Sequence, residues 1–382
     1  MSTIVGNPAG SAARSLRPAW VDVEAGAIRH NVRVLKERVG PGVALFATLK
    51  SNACGFDLEQ AGPLLEKMDE VHGIALVDGG DAVALRRCGV AKPILLFGGM
   101  LLDAEAVALA AERDFILTAH DRPSLDTILA SSRAVQFVVE FNVGAERLGF
   151  TPEDARRVLS ATAASGRARL VGATSHMHVP VDRRGAAVEL QYARFLTALE
   201  AFRDAKVSLQ YSLIASSQTL LETNAMNLTA VDPGHLIFGM APAGRGELAM
   251  RLRSALRAVK SRLVHVREIG AGENAAPFDA RPGLRAGVLP FGASDGLARI
   301  ACGHVLVGGK KAPILAINAE HTEVDLSAVP QAKVGDEVVI VGRQGEAEIE
   351  IADVEARFPN MRSSADVVRN ISPFIPRVYH DD

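Results

Sequence analysis

Lys50 closes the apolar run Val43-Ala44-Leu45-Phe46-Ala47-Thr48-Leu49-Lys50, and Ser51-Asn52-Ala53-Cys54-Gly55 follows at once. The run is long enough for one buried strand and too short to span a membrane. A lysine ending such a strand stands at the mouth of its sheet. Where apolar neighbours strip its water, the amine is freed for Schiff-base chemistry; otherwise it simply reaches solvent. Ser216-Ser217 and Pro233-Gly234 offer hydroxyls and backbone N–H groups to a phosphate, and Asp232 lies directly beside the second pair. An amine, a phosphate site and an acid able to face a pyridine nitrogen are the parts that a pyridoxal phosphate site needs. His176 and His178 carry a different chemistry. Two imidazoles on one strand face have a spacing metals use, and His120, Glu140 or Asp232 could complete a metal-dependent hydrolase site. A His-x-His pair in a strand is more often one functional or core histidine beside a bystander.

Those residues fall at the ends of short β-type runs. Strands are expected at 43–50, 73–78, 93–99, 115–120, 134–142, 169–177, 208–216 and 228–232. Between them, patterns such as Ile28/Val32/Leu35 and Ala155/Val158/Leu159 have helical spacing. Thr151-Pro152-Glu153-Asp154 reads as a helix start, with a hydroxyl cap, proline at the first position and two acids. Eight strand-helix units fit a (β/α)8 barrel, whose chemistry sits at the C-terminal strand ends. No G-x-G-x-x-G turn follows the first strand, which argues against an open doubly wound sheet. Beyond Ala249 the runs become short, β-rich and punctuated by glycine and proline, with hairpin turns expected at Gly308-Gly309-Lys310-Lys311 and Gly342-Arg343-Gln344-Gly345. The expected fold is a (β/α)8 barrel over 18–248 followed by a mostly antiparallel β domain over 249–382. Residues 1–17 are expected to pack with the β domain or to be disordered.

Composition narrows the partners. The 382 residues exceed what one core usually holds, so two domains are expected. A formal net charge of −2, with scattered lysine and arginine, leaves no footprint for nucleic acid or a membrane surface. Cys54, Cys88 and Cys302 are an odd, widely spaced trio, which suggests neither a disulfide framework nor a cysteine zinc site. The N-terminal stretch lacks the apolar segment of a signal peptide, and a soluble cytoplasmic protein is expected.

The ordered motifs resemble the alanine racemase family, fold-type III pyridoxal phosphate enzymes, nearly end to end. Phe46-Ala47-Thr48-Leu49-Lys50-Ser51-Asn52-Ala53-Cys54-Gly55 is similar to the family's cofactor-lysine segment. Asn142-Val143-Gly144-Ala145-Glu146-Arg147-Leu148-Gly149-Phe150 resembles the segment whose arginine lies near the cofactor ring oxygen, here Arg147. Ser175-His176-Met177 matches the strand end whose histidine packs on the pyridine face, and Ser216 and Pro233-Gly234 match phosphate contacts, with His235 next in line. Gly292-Ala293-Ser294-Asp295-Gly296 and Val324-Asp325-Leu326 match markers of the family's β domain. The resemblance implies pyridoxal 5'-phosphate as cofactor and Lys50 and His176 as catalytic residues, to which the chemistry of its own side chain adds Asp232. It also implies a head-to-tail homodimer in which the partner's β domain covers each barrel mouth.

Several positions depart from the family pattern. Asp232 stands where the family places an arginine against the pyridine nitrogen. An aspartate holds that nitrogen protonated and makes the ring a stronger electron sink. The second base, a tyrosine given by the partner subunit shortly after Ala271-Gly272-Glu273, falls on Pro277. The two phosphate tyrosines fall on Cys54 and Pro373, the entrance tyrosine on Ala293, and the methionine of the carboxylate-binding stretch on Ala319. Glu140 opposite Arg147 supplies a carboxylate where the family uses a carboxylated lysine. The expectation is one-base chemistry at Cα of an amino acid or related amine, of lyase, decarboxylase, aldolase or transaminase type. A true racemase of a substrate other than alanine is the alternative. Arg299, His178 and Ala319 are the expected substrate-side residues, and His178 or His321 could replace the missing donor.

Overall fold

The computed structural model describes residues 16–163, 165–178, 185–241, 246–269, 283–358 and 365–381. The eight expected barrel strands are all present. They are β2 (Ala44–Thr48), β3 (Gly73–Leu76), β4 (Ile94–Leu96), β5 (Phe115–Ala119), β6 (Val135–Glu140), β7 (Ala168–Thr174), β8 (Tyr211–Ser216) and β9 (Ala230–Asp232), preceded in the chain by β1 (Ala19–Glu24). Strands β2 to β9 pair in parallel and close on themselves through Ala44↔Ala230 and Leu45↔Val231. Phe46, Ala75, Leu95, Ile116, Val138, Val171, Leu213 and Ala230, drawn from every strand, pack into one buried cluster inside the barrel. The interior is therefore solid, and any site must lie above it at the strand ends. The helices that follow pack their apolar stripes outside; in Ala25–Val39 these are Ile28, Val32 and Leu35, none of them exposed.

The second sheet is mostly antiparallel. Its further strands are β10 (Leu256–Arg262), β11 (His265–Glu268), β12 (Arg285–Leu289), β13 (His304–Val307), β14 (Lys310–Ile317), β15 (Thr322–Asp325), β16 (Glu337–Gln344), β17 (Ala347–Ile349) and β18 (Arg377–His380). They run in the order β11-β12-β15-β14-β13-β16-β10-β1-β18, with β17 beside β16. Two expectations are corrected here. The barrel unit does not begin at residue 18, because β1 pairs with β10 and β18 and belongs to the second sheet. Its residues Ala19, Val21 and Val23 are buried in that sheet, so their apolar alternation serves it and not the barrel. The hairpin at Gly308-Gly309 is formed as expected, whereas Gly342 lies within β16, paired to both Ala258 and Ile349, and the turn falls after Gln344. Arg17 packs on the β domain, donating from Nη1 to Asp295 at 2.9 Å. No helix among the described residues is long and apolar enough to cross a membrane.

Candidate active site

Parallel pairing sets the site out before any side chain is considered. Ser216 of β8 is registered against Asp232 of β9, and Thr48 Oγ1 of β2 donates to the Asp232 carbonyl at 3.0 Å. Lys50 leaves β2 two residues later, so amine, acid and hydroxyl share one sector of the rim. These residues, with Arg147, His176, Gly234 and His235, line a cavity of about 460 Å³ at the C-terminal barrel face. Lys50 itself is exposed. The expectation that apolar neighbours would desolvate it is corrected, because the mouth above it is open in the single chain.

The turn that follows Lys50 has unusual backbone. Ser51, Asn52, Ala53 and Cys54 all have φ between 53° and 57°, a left-handed turn of four non-glycine residues. Each such residue costs about 1–2 kcal/mol, so the turn must be held by its surroundings. Asn52 Oδ1 accepts from Leu58 N–H at 2.8 Å, and Gly55 N–H donates back to the Ser51 and Asn52 carbonyls at 2.9 Å. From the far end of the chain, Arg377 Nε donates to the Gly55 carbonyl at 2.7 Å and Tyr379 hydroxyl to the Phe56 carbonyl at 2.6 Å. Phe56 stacks on Phe238 with ring centroids 4.5 Å apart. Gly55 combines a φ of 90° with an approach so close that a Cβ would stand 2.7 Å from the Val368 carbonyl oxygen. The strand β18 and the chain before it thus clamp the lysine turn.

Arg147 is brought over the barrel by a loop tied at both ends. Asn142 N–H donates to the Phe150 carbonyl and Phe150 N–H to that of Glu140, at 2.8 and 2.9 Å. Asn142 Oδ1 accepts from Gly144 N–H at 2.9 Å. Gly149 folds against the same strand with φ 108°, so close that a Cβ on it would stand 2.6 Å from Asn142 N. Glu140 is buried at the end of β6; burial pushes its carboxyl up, while Arg147 and then His120 pull it down. No direct Glu140–Arg147 ion pair forms among the described residues, so the expected pairing is an electrostatic one at longer range.

Electrostatics divide the cavity into two ends. Burial, then Arg147, Lys50 and His178, lower the His176 imidazole to about 4, so it is neutral at pH 7. At the other end burial, Arg369 and Lys50 lower His235 to about 4, and burial raises the Cys54 thiol against the pull of Arg369 and Lys50. Burial pushes Asp232 up to about 7, with Lys50 opposing. Lys50 acts on all four groups and is therefore central, with Arg147 toward one end and Arg369 toward the other. Arg369 is a site residue that sequence reasoning misses: no local signal marks it, and only the packing of residues 365–369 against the lysine turn brings it in.

The substrate-side expectations come out differently. His178, Arg299 and Ala319 are exposed and are not among the residues lining this cavity. Strand β7 ends at Thr174, so His176 and His178 lie beyond it and do not share a strand face as expected. Among the described residues no three His, Cys, Asp or Glu side chains converge as a metal site. Pro277 lies outside the described residues. The donor set does fit a phosphorylated pyridine cofactor. A lysine amine stands between a half-buried acid at one wall and a corner of hydroxyls, where Ser217 Oγ already accepts from Gly234 N–H at 2.9 Å. The acid is recessed with no cation but Lys50 acting on it, the setting that a ring N–H would complete.

Comparison with known proteins gives one answer along the whole chain. Residues 23–242 match the family model for the N-terminal domain of alanine racemase, and residues 256–379 the model for its C-terminal domain. The alanine racemase of Acidithiobacillus ferrooxidans is 32% identical over 344 residues, covering 86% of this chain and 91% of its own length. That of Desulfovibrio desulfuricans is 27% identical, covering 95% and 98%. Among solved structures, alanine racemase from E. faecalis superposes with a TM-score of 0.84 at 25% identity, covering 95% of this chain and 98% of that one. The Bacillus anthracis enzyme gives 0.83 at 24%, covering 97% of each.

Proposed function

The chain belongs to the alanine racemase family, pyridoxal 5'-phosphate-dependent proteins, and from that premise we propose that it performs one-base chemistry at Cα of an amino acid or related amine. The observation that carries the reading is Asp232, an acid in the cavity where the family's pattern has an arginine. When bound, the cofactor's ring accepts the electron pair left at the substrate Cα. Lys50 holds the cofactor and takes the Cα proton on its own face. Asp232 keeps a proton at the ring nitrogen, which a guanidinium could not accept. A carboxyl raised to about 7 by burial returns to its anionic form once a cation faces it. His176, neutral at working pH, packs against the ring without adding charge. Arg147 orients the ring oxygen, with Glu140 offsetting its charge. Ser216 and the His235 backbone hold the phosphate, and Gly234, whose N–H is given to Ser217 Oγ, shapes the corner. In the sequence the family's second-base position falls on Pro277, a residue with no proton to give.

A second reading is true racemisation, of an amino acid other than alanine; the names of the relatives, alanine racemases matched over nearly their full length, favour racemisation as the reaction type and are silent on such a substrate. Purified protein scanned for cofactor absorbance, then challenged with a panel of amino acids, separates the two. Product formation without a mirror-image amino acid supports one-base chemistry; clean interconversion of enantiomers of any substrate overturns it.

The working unit in this proposal is a cytoplasmic head-to-tail homodimer. Support comes from the β-domain loops that carry Ala293, Arg299 and Ala319, which are exposed and tied together by Ala293 and Ser294 N–H donating to the Asn318 and Ala319 carbonyls. They form an exposed surface that does not line their own cavity. A barrel mouth also needs a cover to exclude water. Sedimentation should give a dimer, and a fully active monomer would contradict it.

A further inference from the structure

We infer that Arg369 is the anchor of the cofactor's phosphate in this chain, a guanidinium standing in for two absent phenols. The inference rests on the reading of the cavity as a pyridoxal phosphate site. Cys54 and Pro373 occupy the two positions where the resemblance to the family implies phosphate-binding tyrosines. Neither donates a strong hydrogen bond to an anion: the S–H of Cys54, kept protonated by burial, is a weak donor, and proline has no N–H. The phosphate corner is left with the Ser216 and Ser217 hydroxyls, neutral donors facing a doubly charged group, because the Gly234 N–H is already given to Ser217 Oγ.

Arg369 fills that deficit by position. It lines the same cavity as Ser216, Gly234 and His235, and its charge is felt by Cys54 and His235, the residues of that corner. Arg147 acts at the opposite end, on His176 and Glu140, so it is not available to the phosphate. His235 is uncharged at neutral pH. Arg369 is therefore the permanent cation of this end. Its backbone is fixed where it must be, because Gly55 packs directly on Val368 and the Arg369 amide. The helix Ala365–Arg369 thereby travels with the lysine turn. Asp366 pairs with one Nη of Arg369, which orients the fork and leaves its remaining N–H groups for a phosphate. Arginine matches a phosphate with two parallel hydrogen bonds, geometry that a hydroxyl cannot give.

The test compares pyridoxal phosphate with pyridoxal, which lacks only the phosphate, as ligands for holoenzyme stripped of cofactor and refilled. Arg369→Gln should weaken pyridoxal phosphate roughly 10- to 100-fold, the range of a charge-assisted hydrogen bond, and leave pyridoxal unchanged. Arg369→Lys should lose only part of that, since it keeps the charge without the fork. The phosphorus resonance of the bound cofactor should shift in both variants. Equal affinities in wild type and Arg369→Gln, or equal loss of both ligands, would overturn the inference while leaving the cofactor site intact. A rise in substrate KM with unchanged cofactor affinity would assign Arg369 to a substrate anion and overturn it as well. A wild-type protein that takes up no pyridoxal phosphate would overturn the reading beneath it. If Arg369→Gln does not fold, the partial and phosphate-specific loss expected of Arg369→Lys still decides the matter.

Discussion

Lys50, Arg147, His176, Ser216, Asp232 and Gly234 come from separate stretches of the barrel and share one cavity, whereas Arg299 and Ala319 of the β domain line none of it. In the barrel, closure alone brings strand ends together, so a residue placed at the end of any strand faces every other. In the β domain, the candidate residues sit on an exposed face of their own chain. Single-chain geometry gathers the candidate residues in the first region and leaves them apart from the cavity in the second.

The largest loss should come from Lys50→Ala. Activity should fall at least about a hundred- to ten-thousandfold, the usual contribution of a positioned base. Borohydride reduction should no longer attach a pyridoxyl group, which in wild type is expected to map to Lys50. Attachment elsewhere would mean the barrel rim has been misassigned.

Next is Gly55→Ala, which attacks the clamp that holds the lysine turn. A Cβ there stands 2.7 Å from the Val368 carbonyl oxygen, at a φ of 90°. Gly40, with φ 91° and nothing within 4 Å, is the control. Denaturant midpoints should show a loss of about 2–3 kcal/mol for Gly55→Ala against about 1 kcal/mol for Gly40→Ala. Equal losses would mean the C-terminal segment does not brace the turn.

The recessed, half-buried acid gives a pH signature. Asp232 titrates at about 7 in the fold, above the ordinary carboxylate value, so the folded state binds that proton more tightly than the unfolded one. Its contribution to stability is therefore present at low pH and lost as pH rises from about 4 through about 7. His176 and His235, both lowered to about 4, act in the opposite sense, with stability lost as pH falls from about 6.5 toward 4. Asp232→Asn removes only the first effect. Thermal midpoints of cofactor-free protein should coincide for wild type and variant near pH 4 and diverge in the variant's favour up to neutrality. A constant offset would place Asp232 in water.

The smallest effect is expected from Arg299→Ala: a few-fold rise in substrate KM with kcat nearly unchanged, as for a rim contact made across subunits. A collapse of kcat would move the β domain into the chemistry itself.

The same contrast explains what is legible in the sequence. Strand ends such as Asp232 and Ser216 can be read there, because short β runs alternating with helical spacing specify a barrel and the barrel specifies the rim. The membership of β1 cannot, because Trp20-Val21-Asp22-Val23 reads equally well as the first strand of either sheet, and only pairing with β10 and β18 decides. The left-handed turn after Lys50 is invisible, since Ala53 and Cys54 carry no turn signal and its braces, Arg377 and Tyr379, lie more than 300 residues away. Arg369 escapes for the same reason. His178 misleads because β7 ends at Thr174, short of His176, so strand alternation no longer applies.

The proposed chemistry turns on a single base serving only one face of Cα. Incubation of L- and D-alanine in deuterium oxide, with Cα exchange and product chirality followed together, tests this most directly. Exchange confined to one enantiomer, without inversion, is expected; rapid interconversion of both, each carrying deuterium, would contradict it.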